Sequence, residues 1–110
     1  MDTIERYRQI IRCVLEPYAH ITYANVDVRN ITVFDSEHDQ FIIVSEGWDR
    51  RRHHGCLIHV ELRDGKVWVQ RDGTEDGVAT ELVEAGIPKS DIVLGFHDPE
   101  VRQHTGFAIA

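Results

Sequence analysis

The chain has 110 residues and a formal net charge of −7 at pH 7, with 42% of its residues hydrophobic and 28% charged. This length predicts one folded domain, residues 1–110, with a single hydrophobic core. The acidic balance disfavours a protein that holds nucleic acid mainly through its phosphates, because such a protein needs a basic face.

Hydropathy and cysteine spacing predict a cytoplasmic protein. The sequence contains no apolar run long enough to span a bilayer, and charged residues interrupt its first apolar stretch, so neither a membrane span nor a signal peptide is expected. Cys13 and Cys56 lie in apolar stretches without CxxC spacing. This predicts buried, reduced thiols rather than a disulfide or a metal site.

The N-terminal segment predicts a long amphipathic helix. Asp2 and Glu5 have the spacing of a capping box, with aspartate in place of the usual serine or threonine. Pro17 lacks a backbone N–H, so the helix should kink or end there. Apolar residues recur at helical spacing and form one wide stripe that we expect to face the core: Ile4, Tyr7, Ile10, Ile11, Val14, Leu15 and Tyr18.

Two strands are predicted next, separated by the polar turn 35–39. Residues 26–34 form the first strand, but their apolar positions change parity midway, which predicts a one-residue bulge near Arg29 or Asn30. Residues 40–48 form the second strand. It is apolar at both parities, so we expect it to be covered on both faces, at the centre of the sheet or in an interface.

A basic run follows the second strand, within residues 49–55. Its position beside Trp48 suits a contact with phosphate or with an acidic partner. A solvated hairpin loop has the same composition, and this is the interpretation that we prefer. The members of this candidate basic patch are Arg50, Arg51, Arg52, His53 and His54.

Two further strands form a hairpin around Asp64-Gly65, a strong signal for a type I′ turn. In residues 56–63, Cys56 shares the inner face with Ile58, Val60 and Leu62. The turn then pairs Leu62 with Val67 and Val60 with Val69 on that face, and Glu61 with Trp68 and His59 with Gln70 on the outer face. A large aromatic side chain on a face that alternation makes polar indicates a covered surface. A protein partner or the second subunit of a homodimer could cover this surface. The candidate partner interface therefore consists of Trp68, Gln70, His59 and Glu61.

The remaining residues are rich in turn and cap signals. Gly73 marks a sharp corner, and Thr74 is the predicted cap of a helix that Gly86 ends. Residues 92–96 form a buried extended segment. Asp98-Pro99 begins a last short helix, and the apolar residues 107–110 are expected to pack against the protein.

No catalytic, cofactor-binding or metal-binding residue is predicted. The seven histidines lack HxH, HExxH or Cys/His zinc spacing. Cys56 and His59, three residues apart on a strand, point to opposite faces and cannot form a nucleophile–base pair. The acidic residues 72–76 would repel a phosphate. The best loose cluster surrounds the last helix and leaves a small metal-dependent hydrolase or nuclease as an alternative: His97, Asp98, Glu100 and His104.

Several long segments resemble one known family. GCLIHVELRDGKVWVQRDGTEDGVATELVEAGIPKSDIVLGF and HDPEVRQHTGFA, with YRQIIRCVLEPYA and SEGWD, closely resemble the XisI family, the fdxN-element excision controlling factors of cyanobacteria. The resemblance covers essentially the whole chain. It implies an accessory role in developmentally regulated excision of a DNA element, beside a site-specific recombinase and a companion XisH-type protein that looks nuclease-like. It implies no catalytic residue.

These observations predict an α+β fold, with a long N-terminal helix packed on an antiparallel meander of about four strands, followed by two short helices. We expect a non-enzymatic, homodimeric accessory factor without a cofactor, which acts through a XisH-type partner. Direct DNA binding by the basic run is the first alternative. Hydrolysis around His97 and His104 is the second.

Overall fold

Two of the three helices pack on the core side of a mixed five-stranded sheet. The computed structural model describes residues 2–110. The helices are α1 (Thr3–Leu15), α2 (Val78–Glu84) and α3 (Pro99–Arg102), and the strands are β1 (Asp27–Asp35), β2 (Gln40–Asp49), β3 (Arg51–Arg63), β4 (Lys66–Asp72) and β5 (Ile92–Leu94). The strands lie in sequence order across the sheet, antiparallel except for the parallel pair β4–β5.

The predicted α+β class is confirmed, but the four-stranded antiparallel meander is one strand short. Ile92 pairs with Val67, and Leu94 pairs with Val69, in parallel register. The chain passes through α2 between β4 and β5, and such a crossover is what parallel neighbours require. All three residues of β5 are buried, so apolar and polar residues do not alternate along it. Its sequence therefore predicted a buried segment but not its pairing with β4.

The first helix follows its sequence signals. Asp2 caps α1, because its Oδ1 atom accepts a hydrogen bond from the Glu5 backbone N–H at 2.8 Å. Tyr7, Ile11 and Leu15 are buried along the apolar stripe. The chain then tightens into the 3-10 helix Glu16–His20, which contains Pro17, so the predicted break is confirmed.

The bulge predicted in the first strand is wrong. β1 pairs with β2 without interruption, from Asp27 opposite Trp48 to Asp35 opposite Gln40. Asn30 faces inward and is only 5% exposed. The predicted bulge would have placed an apolar residue at this position. The Nδ2 atom of Asn30 donates to the Tyr18 carbonyl at 2.9 Å and to the Tyr23 hydroxyl at 3.0 Å. The nitrogen of this buried amide is therefore paired, as most buried polar groups are.

The register instead shifts in β3. Ile43 pairs with Ile58 and Val44 pairs with Cys56, so Leu57 is the extra residue. Leu57 packs against the core, whereas Cys56 is exposed. The predicted common face of Cys56 and Ile58 is therefore wrong. Both cysteines are free as expected, but neither is buried, because Cys13 also lies on an exposed part of α1.

The two turns on either side of β3 have different outcomes. Residues 49–55 are not a loop, because β3 begins at Arg51 and pairs with Asp49 around Arg50, whose φ is 67°. The Asp64-Gly65 turn is confirmed as type I′ by its positive φ angles of 53° and 78°.

The predicted pairing across that second turn holds for three of its four pairs. Leu62–Val67, Val60–Val69 and Glu61–Trp68 are all observed. The fourth is wrong, because His59 pairs with Arg71 and Gln70 is the extra residue of a second register shift.

The corner before α2 is held by an aspartate rather than by the predicted threonine cap. The Asp72 carboxylate accepts hydrogen bonds from the Thr74 backbone N–H at 3.0 Å and from the Val78 backbone N–H at 2.7 Å. Gly77, with a φ of 84°, stands at the start of the helix in place of Thr74. At the other end Gly86 has a φ of 120°, and the Ile87 N–H donates to the Leu82 carbonyl at 3.1 Å, which confirms the glycine stop.

The core lies between one face of the sheet and the helices α1 and α2. Its fully buried side chains include Ile11, Leu15, Phe41, Ile43, Ile58, Val60, Val67, Val69, Val78, Leu82, Ile87 and Ile92. The tail also packs, since the Ala108 N–H donates to the Ile92 carbonyl at 2.8 Å. Among residues 2–110, no helix combines the length and the apolar character that crossing a membrane requires.

Candidate interaction surface

A polar network lies on the sheet face opposite the core, with Glu61 at its centre. The Gln40 side-chain amide donates to Oε2 of Glu61 at 2.9 Å, and the Gln70 amide donates to Oε1 at 2.7 Å. A guanidinium nitrogen of Arg63 lies 3.3 Å from the same Oε1 atom, and the Glu61 side chain is only 16% exposed. Three neighbouring strands are thus joined through one carboxylate.

His59 completes the network at its other end. Its Nε2 atom lies 2.6 Å from Oε1 of Gln40. Because the nitrogen of that amide donates to Glu61, the oxygen turned toward His59 accepts, and the imidazole Nε2 therefore carries a proton. His59 therefore donates to Gln40, and Gln40 donates to Glu61.

Trp68 lies beside this network under two guanidinium groups. The central guanidinium carbon of Arg63 is 3.8 Å from the ring centroid, and that of Arg102 is 5.3 Å away. Nε of Arg102 also donates to the His97 carbonyl at 3.1 Å, which ties the start of α3 to the tryptophan. The ring is half-buried rather than bare, and both guanidinium groups lie within the distance of a cation–π attraction.

Glycine at position 95 makes room for this arrangement. A Cβ atom there would lie 2.5 Å from Oε1 of Gln70 and 3.3 Å from Cε3 of Trp68. Any side chain at Gly95 would therefore displace the Gln70 amide from its contact with Glu61.

The four residues predicted as a partner interface do share one surface. The same surface also contains Gln40 and Arg63, which contact Glu61, and Arg102, which contacts Trp68; none of the three was predicted as part of it. Gln40 lies directly opposite Glu61 in the sheet, but the β2–β3 register depends on a bulge that no local signal marks. That a partner covers this surface stays a prediction.

The environment of Glu61 favours its ionised form. Partial burial alone would raise the pKa of this carboxyl, but the hydrogen bonds from Gln40 and Gln70 and the charge of Arg63 outweigh it and lower the pKa below 4.5. Ionised Glu61 therefore contributes stability that is present above pH 4.5 and is lost as the pH falls through the lower folded-state pKa.

Replacing Glu61 with glutamine should flatten the acid side of the stability profile. Urea unfolding at about pH 7, 5, 4 and 3 is expected to show a smaller loss of unfolding free energy on acidification than in the unaltered protein. At neutral pH the variant should be less stable by about 1–2 kcal/mol, because the two amide donors lose a charged acceptor. Glu100→Gln, on the exposed α3, is the matched control, and an equal slope in both variants would contradict this account.

The candidate basic patch is divided by the structure. Glu46 accepts hydrogen bonds from Arg29 at 2.5 Å and from Arg52 at 3.0 Å, and these bonds lower the pKa of its carboxyl. Arg52 also lies 5.8 Å from the ring centroid of Trp48, which is 57% exposed. Arg50 and Arg51 are exposed at the hairpin tip.

The two histidines of the patch lie in the N-terminal half of β3. His53 is half-buried opposite Gly47, and His54 is exposed opposite Glu46. The five residues therefore do not form one uninterrupted basic face.

The histidine cluster of the C-terminal region does not assemble as a set of ligands. Asp98 caps α3 by accepting from the Glu100 N–H at 2.9 Å, and the His97 ring lies tilted against the Phe96 ring, with 4.5 Å between the ring centroids. Among residues 2–110, one group of His, Cys, Asp or Glu side chains brings three candidate ligand atoms within 4.8 Å of one another, and it lies elsewhere, at Asp35, Glu37 and His38.

That group is the exposed turn between β1 and β2, which the sequence analysis had assigned as a polar turn. The Asp35 carboxylate already accepts from the backbone N–H groups of Glu37 and His38 and contacts the His38 ring at 2.7 Å. These bonds account for the arrangement as a side-chain-stabilised turn.

The fold and this surface define a small α+β protein with one sheet face left open to its surroundings. The chain belongs to the XisI family, because the family model described as XisI protein matches residues 1–109.

Two solved structures share the fold. A XisI-like protein from Anabaena variabilis is 29% identical, with a TM-score of 0.84 over 99% of this chain and 100% of that one. The fdxN element excision controlling factor XisI from Anabaena variabilis is 32% identical, with a TM-score of 0.82 over 99% of this chain and 100% of that one. No curated protein sequence matches the chain.

Proposed function

We propose that this protein is a non-enzymatic accessory factor in the excision of a DNA element, and that it acts through protein partners. The observation that carries the proposal is the 32% identity, over 99% of the chain, to a protein described as an excision controlling factor. The shared fold covers the whole of both molecules, so the comparison is not limited to a common substructure.

The open sheet face supports a binding role. Its polar side chains bond to one another, and Glu61, with a lowered pKa, is a weak general base at neutral pH. Trp68 and Arg63 offer the combination of aromatic ring and guanidinium that is enriched among residues that dominate binding energies. A surface of this composition is better suited to recognition than to proton transfer.

The proposed partner is a XisH-type companion protein, with a site-specific recombinase as a further member of the assembly. The net charge of −7 favours indirect contact with DNA through such proteins. A homodimer is also proposed, with the half-buried Trp68 on the open sheet face as part of its interface.

Co-expression with the XisH-type protein from the same genome tests the proposal. The two proteins should elute together at micromolar concentration, and Trp68→Ala should weaken the complex by roughly 30-fold, the effect of losing a central aromatic anchor. Circular dichroism of the isolated variant checks that it is folded. Separate elution of the two unaltered proteins would remove the main support.

The matched control is the double variant Arg50→Ala and Arg51→Ala at the hairpin tip. It should leave co-elution unchanged. The alternative of direct DNA binding predicts instead that these exposed arginines govern a salt-dependent gel shift. Binding of DNA by the protein alone, abolished by this variant, would favour that alternative over the proposed function.

A further inference from the structure

Two adjoining hollows lie where α1 ends and the chain turns toward the sheet. The first has a volume of about 440 Å³ and is lined by Val14, Pro17, Tyr18, Ile21 and Glu81. Its walls are mainly apolar, and Ile21 is 42% exposed. The hollow therefore presents apolar surface that the chain itself leaves uncovered.

The second hollow shares Tyr18 and Ile21 with the first, so the two form one groove. It has a volume of about 500 Å³ and reaches past Tyr23 to the acidic corner at Glu75 and Asp76. By volume, each hollow is in the range of a ligand pocket and exceeds the needs of a single small ion.

The charge of the groove has one sign. Within the part of the chain that the structure describes, the residues lining the two hollows include three carboxylates, Glu75, Asp76 and Glu81, and neither lysine nor arginine. The net charge of −7 adds to this local potential. Phosphate groups of a nucleic acid or of a lipid surface would be repelled, whereas cationic side chains would be attracted.

Tyr18 fixes the middle of the groove. Its hydroxyl donates to Oε2 of Glu81 at 2.8 Å, and burial, together with this bond, raises the pKa of the phenol to about 12. The tyrosine therefore remains a donor at all physiological pH values and holds the Glu81 carboxylate at the edge of the apolar hollow.

A buried asparagine beside the groove bonds to two of the residues that line it. Asn30 is 5% exposed, and its Oδ1 atom is buried without a hydrogen-bond partner among residues 2–110. Its Nδ2 atom donates to the Tyr18 carbonyl and to the Tyr23 hydroxyl, which belong to residues that line the groove. A buried acceptor left unpaired is unusual in a folded protein.

We propose that this groove binds a basic amphipathic segment of a partner protein. Apolar side chains of the segment fill the hollow beside Val14 and Ile21, and lysine or arginine side chains meet Glu75, Asp76 and Glu81. This arrangement corresponds to the known mode in which an amphipathic helix lies in an apolar groove, with charge complementarity at the rim. The inference extends the proposed function by giving the chemistry of the partner, but the site is separate from the open sheet face.

Synthetic peptides of about 18 residues, five helical turns, test the groove without the natural partner. The probe is a labelled leucine–lysine amphipathic helix. Two further peptides replace every lysine with glutamate or every leucine with serine. Fluorescence anisotropy with the full chain should show binding of the first peptide alone, weakened at high ionic strength. If the serine peptide binds as tightly as the leucine–lysine peptide, the binding is non-specific charge attraction and the proposal is wrong.

Variants of the chain locate the binding. Two variants are expected to bind the leucine–lysine peptide with roughly tenfold lower affinity, a loss of about 1.4 kcal/mol. One is the double variant Glu75→Gln with Asp76→Asn, and the other is Ile21→Ser. The matched control Glu37→Gln with Glu100→Gln removes the same charge from exposed positions elsewhere and should bind as the unaltered protein does. Equal weakening in the control pair would overturn the assignment.

The outcomes also separate a second copy of the chain from a basic partner. If Ile21→Ser converts a dimer to a monomer and no peptide binds, the groove is an interface between copies and the proposal is wrong. If the peptide binds as described and the XisH-type protein does not co-elute, the groove stands and the proposed function fails.

Discussion

Replacing Gly47 with alanine is expected to destabilise the protein by about 3 kcal/mol or more. A Cβ atom at this position would lie 1.9 Å from the Asp27 carbonyl oxygen and 2.6 Å from the Val28 Cα atom, both of them backbone atoms of the adjacent strand. The φ of 149° at Gly47 adds strain for any residue with a side chain. The clash can be relieved only if β1 moves away from β2, which would break their hydrogen bonds.

The glycine on the neighbouring strand gives the control. A Cβ atom at Gly55 would meet no atom within 4 Å, so Gly55→Ala should change the unfolding free energy by less than about 0.5 kcal/mol. Urea unfolding followed by circular dichroism measures both variants. Equal urea midpoints for the two variants would contradict this expectation. They would mean that the first residues of β1 can move away from β2 without loss of stability.

The consequences of Gly47→Ala should also reach the surface beyond it. Trp48 follows directly, and its indole contacts Arg52, which in turn bonds Glu46. If β1 separates, Arg29 leaves Glu46 as well, and the outer face of the hairpin loses its order. A folded Gly47→Ala protein should therefore show altered tryptophan fluorescence even at temperatures well below its unfolding transition.

Signals that act within a few residues predicted the structure well. Asp2 and Asp98 cap the helices that their spacing indicated. Asp64-Gly65 and Gly86 adopt the positive φ angles that those turns require. In each case the hydrogen-bond donor and acceptor are close in sequence, so the residue types alone determine the geometry.

Features that depend on distant pairing were missed. The bulges at Leu57 in β3 and at Gln70 in β4 become visible only when neighbouring strands are paired, and neither strand carries a local sequence mark of its extra residue. The apolar parity change in β1 was attributed to a bulge, whereas Asn30 is buried by bonds to residues before the strand. A buried polar side chain cannot be recognised until its partners are placed.

The candidate surface was predicted in part for the same reason. The tight turn at Asp64-Gly65 fixed the pairing of Glu61 with Trp68, so these two could be placed on one face from the sequence. Gln40 and Arg102 come from β2 and α3, whose positions depend on the tertiary fold. The groove at the end of α1 was missed entirely, because it is built from segments far apart in the chain.

The corner between β4 and α2 shows how one side chain can replace a local cap. Asp72 accepts from the Thr74 N–H, from the Thr74 hydroxyl at 2.5 Å and from the Val78 N–H, and so closes residues 72–78 into a compact loop. The predicted cap, Thr74, is a donor to this carboxylate. The observed bond from the Val78 N–H to Asp72 spans six residues, and Glu75 and Asp76 within this loop lie at the edge of the groove.

Replacing Asp72 with alanine should therefore cost about 2–3 kcal/mol of unfolding free energy, since two backbone N–H groups would lose a charged acceptor. Asp72→Asn should cost roughly half as much, because its single carbonyl oxygen can serve Thr74 or Val78 but not both. Asp76→Ala, at an exposed position of the same loop, is the control and should change stability by less than about 0.5 kcal/mol.

Hydrogen exchange distinguishes the loss of this one contact from a general loosening. The Val78 amide should exchange faster in Asp72→Ala, whereas the Ile58 and Val60 amides in the central strand should change only in proportion to the global stability. If Val78 exchange follows the core amides in every variant, the loop is held by the packing of α2 alone. Selective loss at Val78 would establish the carboxylate as the group that joins β4 to α2, and with it the position of the acidic corner that faces the groove.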